Sequence, residues 1–169
     1  MIFEVGDRVV HSQHGVGQVV KLEAREFEPG VIRRYYEISM PGGSTVWVPA
    51  DLGTIGLRKP AESSEIARCR KILASHPMPL TEDARFRQSN LAARLKQGTI
   101  STFCEVVRDL HAYGEHKSLY GTIAGFYRVT KDVLCQEWAL VEGMTLPEAV
   151  QEIDSLIEKS RETISASKQ

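Results

Sequence analysis

Cysteine is scarce in this chain: Cys69, Cys104 and Cys135 stand 35 and 31 positions apart. No two have metal-ligand spacing, and an odd count argues against a disulfide framework. Long hydrophobic runs are missing as well. None approaches the roughly 18–20 apolar residues a membrane helix needs, and the opening MIFEVGDRVV has no basic flank before an apolar stretch, so it does not read as a signal peptide. An excess of one charge is also absent: the formal net charge is −1, so no global field steers the protein toward nucleic acid. There is no internal repeat and no low-complexity segment. These absences point to a reduced, cytoplasmic protein without a membrane span. With 42% hydrophobic and 25% charged residues the composition is that of a folded globule, which excludes wholesale disorder. A length of 169 residues suffices for a core without metal or disulfide staples and leaves little room for a large enzyme.

The near-zero total hides a local imbalance. Residues 1–60 are neutral and residues 61–67 carry −2. Residues 68–96 then set Arg68, Arg70, Lys71, Arg85, Arg87, Arg94 and Lys96 against only Glu82 and Asp83, a net +5, and residues 97–169 carry −4. A basic stretch inside a neutral chain is either an anion-facing surface or a solvated helix face with no partner.

The hydrophobic period changes along the chain. In residues 1–60, Arg8-Val9-Val10, Gln18 to Leu22, Val31 to Met40 and Thr45 to Val48 read as short strands. His14-Gly15-Val16-Gly17 and Pro41-Gly42-Gly43 break between them, predicting a small antiparallel barrel or curled sheet. From Ser63 the pattern is helical. Ile66, Cys69, Ile72 and Leu73 share a face, Ser63 and Ser64 read as caps, and Pro77 and Pro79 close the segment. A second helix starts at Thr81-Glu82-Asp83, turns Leu91 and Leu95 inward and stops at Gly98. Thr102-x-x-Glu105 has capping-box spacing ahead of Val106, Val107 and Leu110. Ile123, Tyr127, Val133, Leu134, Trp138 and Val141 mark a long amphipathic helix closed by Gly143. Thr145-x-x-Glu148, with Pro147 in the first turn, opens a last helix whose inner face is Leu146, Ala149, Val150, Ile153 and Ile157. The fold class is therefore α+β: a small antiparallel β-barrel over 1–60, then an all-α domain of about five helices over 61–169.

Catalytic signatures are missing. His14-Gly15-Val16-Gly17 lacks the third glycine of a dinucleotide fingerprint and the Gly-Lys-Ser/Thr of a phosphate loop. His11 with His14, and His111 with His116, could each begin a metal site, but neither pair has a nearby residue completing one. Cys104 lies in an apolar helical context and reads as a core residue, not a nucleophile. The expectation is a protein that is not an enzyme and uses no cofactor or metal.

The opening Met1-Ile2-Phe3-Glu4-Val5-Gly6-Asp7-Arg8-Val9-Val10 with His14-Gly15-Val16-Gly17, then Tyr35-Tyr36, Trp47-Val48-Pro49-Ala50 and Gly56-Leu57-Arg58, resembles the CarD/CdnL family of bacterial transcription regulators. Gly98, Val106-Val107-Arg108-Asp109-Leu110 and Glu137 continue the resemblance through the helical half. The first half also resembles the polymerase-interacting module of transcription–repair coupling factors, and the helical second half favours CarD. The resemblance implies a Tudor-like (SH3-like) barrel that docks on the RNA polymerase β subunit. It further implies a helical domain lying against promoter DNA at the upstream edge of the bubble, with no sequence specificity, so that open-complex stability is modulated.

Carried onto this chain, the resemblance places Arg25 against the polymerase, with Phe27 on the same face two residues on. Pro49 belongs to the same set. Trp47 stands where relatives often carry arginine: if Val46 and Val48 face inward it is an outward interface anchor, and if the strand is inverted it fills the core. In the helical half the resemblance implies a tryptophan wedge early in the second helix, where this chain has Ala84. Phe86 is either a displaced wedge or, as its position about 200° around the helix favours, a core residue. Arg85, Arg87, Arg94 and Lys96 are expected to reach DNA phosphates, with Arg128 and Lys131 as further contacts. The missing wedge and the acidic 97–169 segment leave a second reading: an adaptor whose helical domain recruits a protein instead of DNA. Neither half shows a long unmatched apolar stripe, so the expected state is a monomer.

Overall fold

The computed structural model describes residues 3–51 and 56–166, with side chains to residue 162; Met1, Ile2, residues 52–55 and residues 167–169 lie outside the described residues. The chain forms two compact units, Met1–Pro60 and Ala61–Gln169.

The first unit is an antiparallel sheet of β1 (Arg8–His11), β2 (Gly15–Glu28), β3 (Val31–Ser39), β4 (Thr45–Pro49) and β5 (Leu57–Arg58), in the order β4-β3-β2-β1-β5. Alternation sends Val9, Val19, Tyr36, Ile38 and Val48 to one side, where they meet Phe3, Met40 and Leu57 in a single cluster. Every strand contributes to that cluster, so the sheet wraps around it in a Tudor-like fold. Phe3 seals one side: its ring meets Tyr36 edge-on at 5.7 Å, and its N–H donates to the buried Tyr36 hydroxyl at 3.1 Å. The Gly15–Gly17 segment is not the turn that its glycines suggest. The turn is Ser12–His14, and Gly17 lies in β2 opposite Val9. A Cβ at Gly17 would stand 2.6 Å from both Ile38 Cγ2 and Met40 Sδ, so the core itself requires the glycine.

The second unit contains α1 (Ser63–Ala74), α2 (Ala84–Gln97), α3 (Ile100–His116), α4 (Gly121–Glu142) and α5 (Leu146–Ala166). Two predicted starts move. Glu62, not Ser63 or Ser64, caps α1, and its N–H donates to the Glu65 carboxylate at 3.0 Å. Thr99, not Thr102, caps α3, its Oγ1 accepting the Thr102 N–H at 3.2 Å. Thr102 is buried within the helix, and Glu105 faces Arg94 at 3.5 Å instead of closing a capping box. Asp83 caps α2 by accepting the Phe86 N–H at 2.8 Å, and Gly98 ends it in the left-handed region at φ 69°. Gly143 stops α4, and the predicted Thr145–Glu148 box opens α5, with Glu148 accepting the Thr145 N–H at 2.8 Å. Leu146 is exposed, not inward, because the inner face of α5 begins at Ala149 and runs through Ile153 and Ile157.

Helix α3 is the centre of the unit and packs against the other four helices. Ile100, Phe103, Cys104, Val106, Val107 and Leu110 are all fully buried, and all three cysteines are buried free thiols. Buried and half-buried charged groups tie the unit together. Asp109 accepts from the Met78 N–H and Arg108 Nε, both at 2.9 Å, and from Arg94 at 3.0 Å. Glu137, fully buried, accepts the Ala61 N–H at 2.8 Å. Arg70 pairs with Glu142 and Glu152 beside the Trp138 ring. The charged residues that carried the family resemblance in this half, Arg108, Asp109 and Glu137, are thus internal supports, where removing one partner strands a buried charge.

Candidate functional site

The outer face of the sheet gathers the aromatic side chains that the core does not use. In β4, Val46 and Val48 pack on the core, which turns Trp47 outward and excludes the inverted strand. In β3 the same alternation buries Tyr36 and Ile38 and leaves Tyr35 outside. Cross-strand register places Tyr35 beside Glu23 and Pro49, and Trp47 beside Glu37. The Arg25 guanidinium lies 4.6 Å from the Trp47 ring centroid, a cation–π contact, and Arg25 Nε donates to Glu23 at 2.8 Å. Phe27, 54% exposed, meets Tyr35 edge-on at 4.8 Å and Trp47 at 5.8 Å. The structure therefore brings Arg25, Phe27 and Trp47 into one cluster and sets Pro49 next to it. Tyr35 and Glu23 complete it and were not predicted; the strand alternation of Tyr36 and Ile38 is the signal in the sequence that puts Tyr35 on the other face.

The basic candidates of the helical unit divide sharply. Arg85, Lys96 and Arg128 are exposed and form no ion pair among the described residues. Arg85 and Lys96 are eleven residues apart, about 20° beyond three full turns, so they share one face of α2. Three others are not available as expected. Arg87 is 9% exposed, donates to the carbonyls of Thr81 and Glu82 at 2.8 and 3.0 Å, and stacks 5.1 Å from the Tyr113 ring. Arg94 is held by Asp109 at 3.0 Å and Glu105 at 3.5 Å. Lys131 pairs with Asp154 at 2.6 Å, and although burial opposes its charge, that carboxylate holds its pKa above the usual value. Each is tied down because α3 or α5 supplies an acceptor or a ring that lies far away in the sequence.

Phe86 corrects the expectation of a core residue: it is 63% exposed. Asp83 caps the helix and orients the first turn so that Arg87, not Phe86, points into the unit. Ala84 lines one groove together with Tyr120, which is 80% exposed. Alanine itself cannot unstack a base pair.

The histidines do not assemble a metal centre: no group of three or more potential ligands clusters among the described residues. The rings of His11 and His14 stand 4.6 Å apart. Burial, and then repulsion from His14, pushes the His11 pKa down to about 4. His111 hydrogen-bonds the Tyr127 hydroxyl at 3.0 Å. Among the described residues no helix is long and apolar enough to cross a membrane.

Comparison with known proteins agrees with this geometry in both units. Residues 3–59 match the CarD-like/TRCF RID domain, and residues 68–154 match the CarD C-terminal domain. A Bacillus subtilis (strain 168) protein named "Putative transcription factor YdeB" is 27% identical over 154 residues, covering 85% of this chain and 95% of its own length. The two matches follow the β-then-α order of the fold, and together they span most of the described residues. The chain belongs to the CarD family of transcription regulators, a family that is generally non-enzymatic.

Proposed function

We propose that this protein docks on the RNA polymerase β subunit through the outer face of its sheet and meets promoter DNA, without sequence specificity, through its helical unit, modulating open-complex stability. The observation that carries the reading is the cluster of Arg25, Phe27, Tyr35 and Trp47 on a face that the core leaves free. Aromatic rings with an arginine are the residue types that concentrate binding energy in interfaces. Trp47 and Phe27 supply apolar area, and Arg25, pre-positioned over Trp47, loses little freedom on docking. On the DNA side, Arg85, Lys96 and Arg128 can track phosphates. Three such contacts give a salt slope of about −3. A tether of this kind acts by binding the melted promoter better than the closed one.

The test is polymerase binding by Arg25→Glu and Trp47→Ala with the fold verified by circular dichroism. Each variant is expected to weaken binding at least about 30-fold, the equivalent of a loss of ~2 kcal/mol at an interface centre. Unchanged binding would remove the docking face from this surface.

A second reading keeps the polymerase dock and gives the helical unit a protein partner. Alanine at position 84 and the internal ion pairs of Arg94 and Lys131 favour it. Mobility shifts at low salt with duplex and forked DNA separate the two, since an adaptor retains neither.

A further inference from the structure

Helix α2 is the least embedded helix of the second unit. Of its 14 residues only Arg87 and Leu91 are buried, whereas α3 buries a run from Ile100 to Leu110 with few breaks. Helices α1, α4 and α5 each pack on at least two other helices, and α2 rests chiefly on α3. Leu91 closes a small core with Val106 and Leu110, edged by Leu95 and Ile123. Helices in proteins are stable mainly through a packed apolar face, so one fully buried apolar side chain holds α2 weakly.

The two arginines of α2 that face inward act in opposite senses. Arg87 donates to the carbonyls of Thr81 and Glu82, which lead into α2 itself and move with it, and it meets α3 at the Tyr113 ring. Its Nε has no hydrogen-bond partner among the described residues, so closing α2 strips water from a cation without full replacement. Arg94 reaches across to α3, to Asp109 at 3.0 Å and Glu105 at 3.5 Å. If Arg94 leaves, Asp109 keeps the Met78 N–H and the Arg108 guanidinium, both at 2.9 Å, so its buried charge stays paired. Glu105 is partly exposed and can rehydrate. Both ends of the helix suit such a movement. On one side the chain between Met78, held by Asp109, and Thr81, held by Arg87, forms neither helix nor strand. On the other stands Gly98, where a change of φ meets no Cβ.

We infer that α2 is a hinged lid: it opens from α3 as one piece between Met78 and Gly98 while the other helices stay packed, and Arg94 on Asp109 and Glu105 is the latch that closes it. Opening uncovers Val106 and Leu110 and returns the Arg87 charge to water. It also moves Arg85 and Lys96, both on α2, so that any contact these two make with DNA is available only as the lid's equilibrium allows. The opening does not depend on the DNA contact proposed above and is measured without DNA.

The test is native-state hydrogen exchange of the full chain, followed amide by amide by NMR at rising urea below the unfolding transition. The lid predicts that the amides of Leu91 to Leu95 exchange at least about 100-fold faster than the slowest amides of α3, and that their rates respond weakly to urea because a local opening exposes little surface. Arg94→Gln removes the latch and is expected to speed the α2 amides at least about tenfold while leaving the slowest α3 amides unchanged. Should that variant not fold, Arg87→Met replaces the incompletely paired charge by a side chain that still packs on Tyr113, and is expected to slow α2 exchange at least about threefold. Exchange of α2 in step with α3 through global unfolding overturns the lid. So does an Arg94→Gln variant that speeds both helices equally or neither, or an Arg87→Met variant whose α2 exchanges no more slowly than in the wild type.

Discussion

At Gly17 one hydrogen separates a packed core from a collision. A methyl there would press on Ile38 Cγ2 and Met40 Sδ at 2.6 Å and on the Ser39 carbonyl oxygen at 2.9 Å. Met40 can bend away, but the β3 backbone cannot. Gly17→Ala is expected to destabilise the β unit by about 1–3 kcal/mol, read as an earlier urea midpoint for its NMR signals. A midpoint within error of wild type would mean that β3 is not held where the register places it. His11 makes a second prediction. Its Nδ1 accepts the Gln13 N–H at 3.2 Å, which a protonated ring cannot do. Burial and His14 lower its folded pKa to about 4, below the ordinary 6.5, so the folded state binds fewer protons than the unfolded chain. The stability it contributes is complete above pH 6.5 and lost as pH falls through about 4. His11→Gln should flatten that part of the urea-stability profile; an unchanged slope would assign it to other groups. The same scale shows which single residues were legible. Trp47 was legible only as one of two alternatives, and the packing of Val46 and Val48 on the core decides for the outward one. The burial of Arg87 and the pairing of Arg94 could not be read, because Tyr113 and Asp109 reach them from another helix.

Among the elements, stops were easier to read than starts. Gly98 and Gly143 adopt left-handed φ of 69° and 65°, a conformation that glycine tolerates and other residues resist, so both helix ends were visible in sequence. Starts allow several candidates within one turn. Thr99 and Thr102 are both good caps, and only the burial of Ile100 and Thr102 decides for the earlier one. Thr99→Ala is therefore expected to cost about 1 kcal/mol of helical-unit stability, while Glu105→Ala, which loses only a partly exposed ion pair, costs well under that. Thermal unfolding of the two variants distinguishes these roles, and the reverse order would restore Thr102 as the cap. Strand β5 escaped prediction for a different reason. Two residues carry no period, and Leu57 and Arg58 join the sheet only because β1 offers them an edge.

For the whole molecule, the β-then-α order was visible as a change of hydrophobic period near residue 60, and the two compact units divide there. What the helical unit touches was not visible in that way. The +5 charge of residues 68–96 suggested a broad basic surface, yet Arg70, Arg87 and Arg94 spend their charge inside the unit. Of the basic side chains expected on DNA, Arg85, Lys96 and Arg128 stay exposed, and Phe86 and Tyr120 are exposed aromatic side chains of the same unit. Function at this scale depends on whether both units act on one transcription complex. The lifetime of the open complex of RNA polymerase on a forked promoter measures this, with the wild type, Arg25→Glu and Ala84→Trp compared. Regulation through both units predicts that the wild type lengthens the lifetime about fivefold, the factor given by ~1 kcal/mol of preference for melted DNA. It also predicts that Arg25→Glu abolishes the effect and Ala84→Trp enlarges it. A lifetime that the wild type leaves unchanged and only Ala84→Trp extends would contradict the DNA half of the proposal and leave an adaptor bound to polymerase.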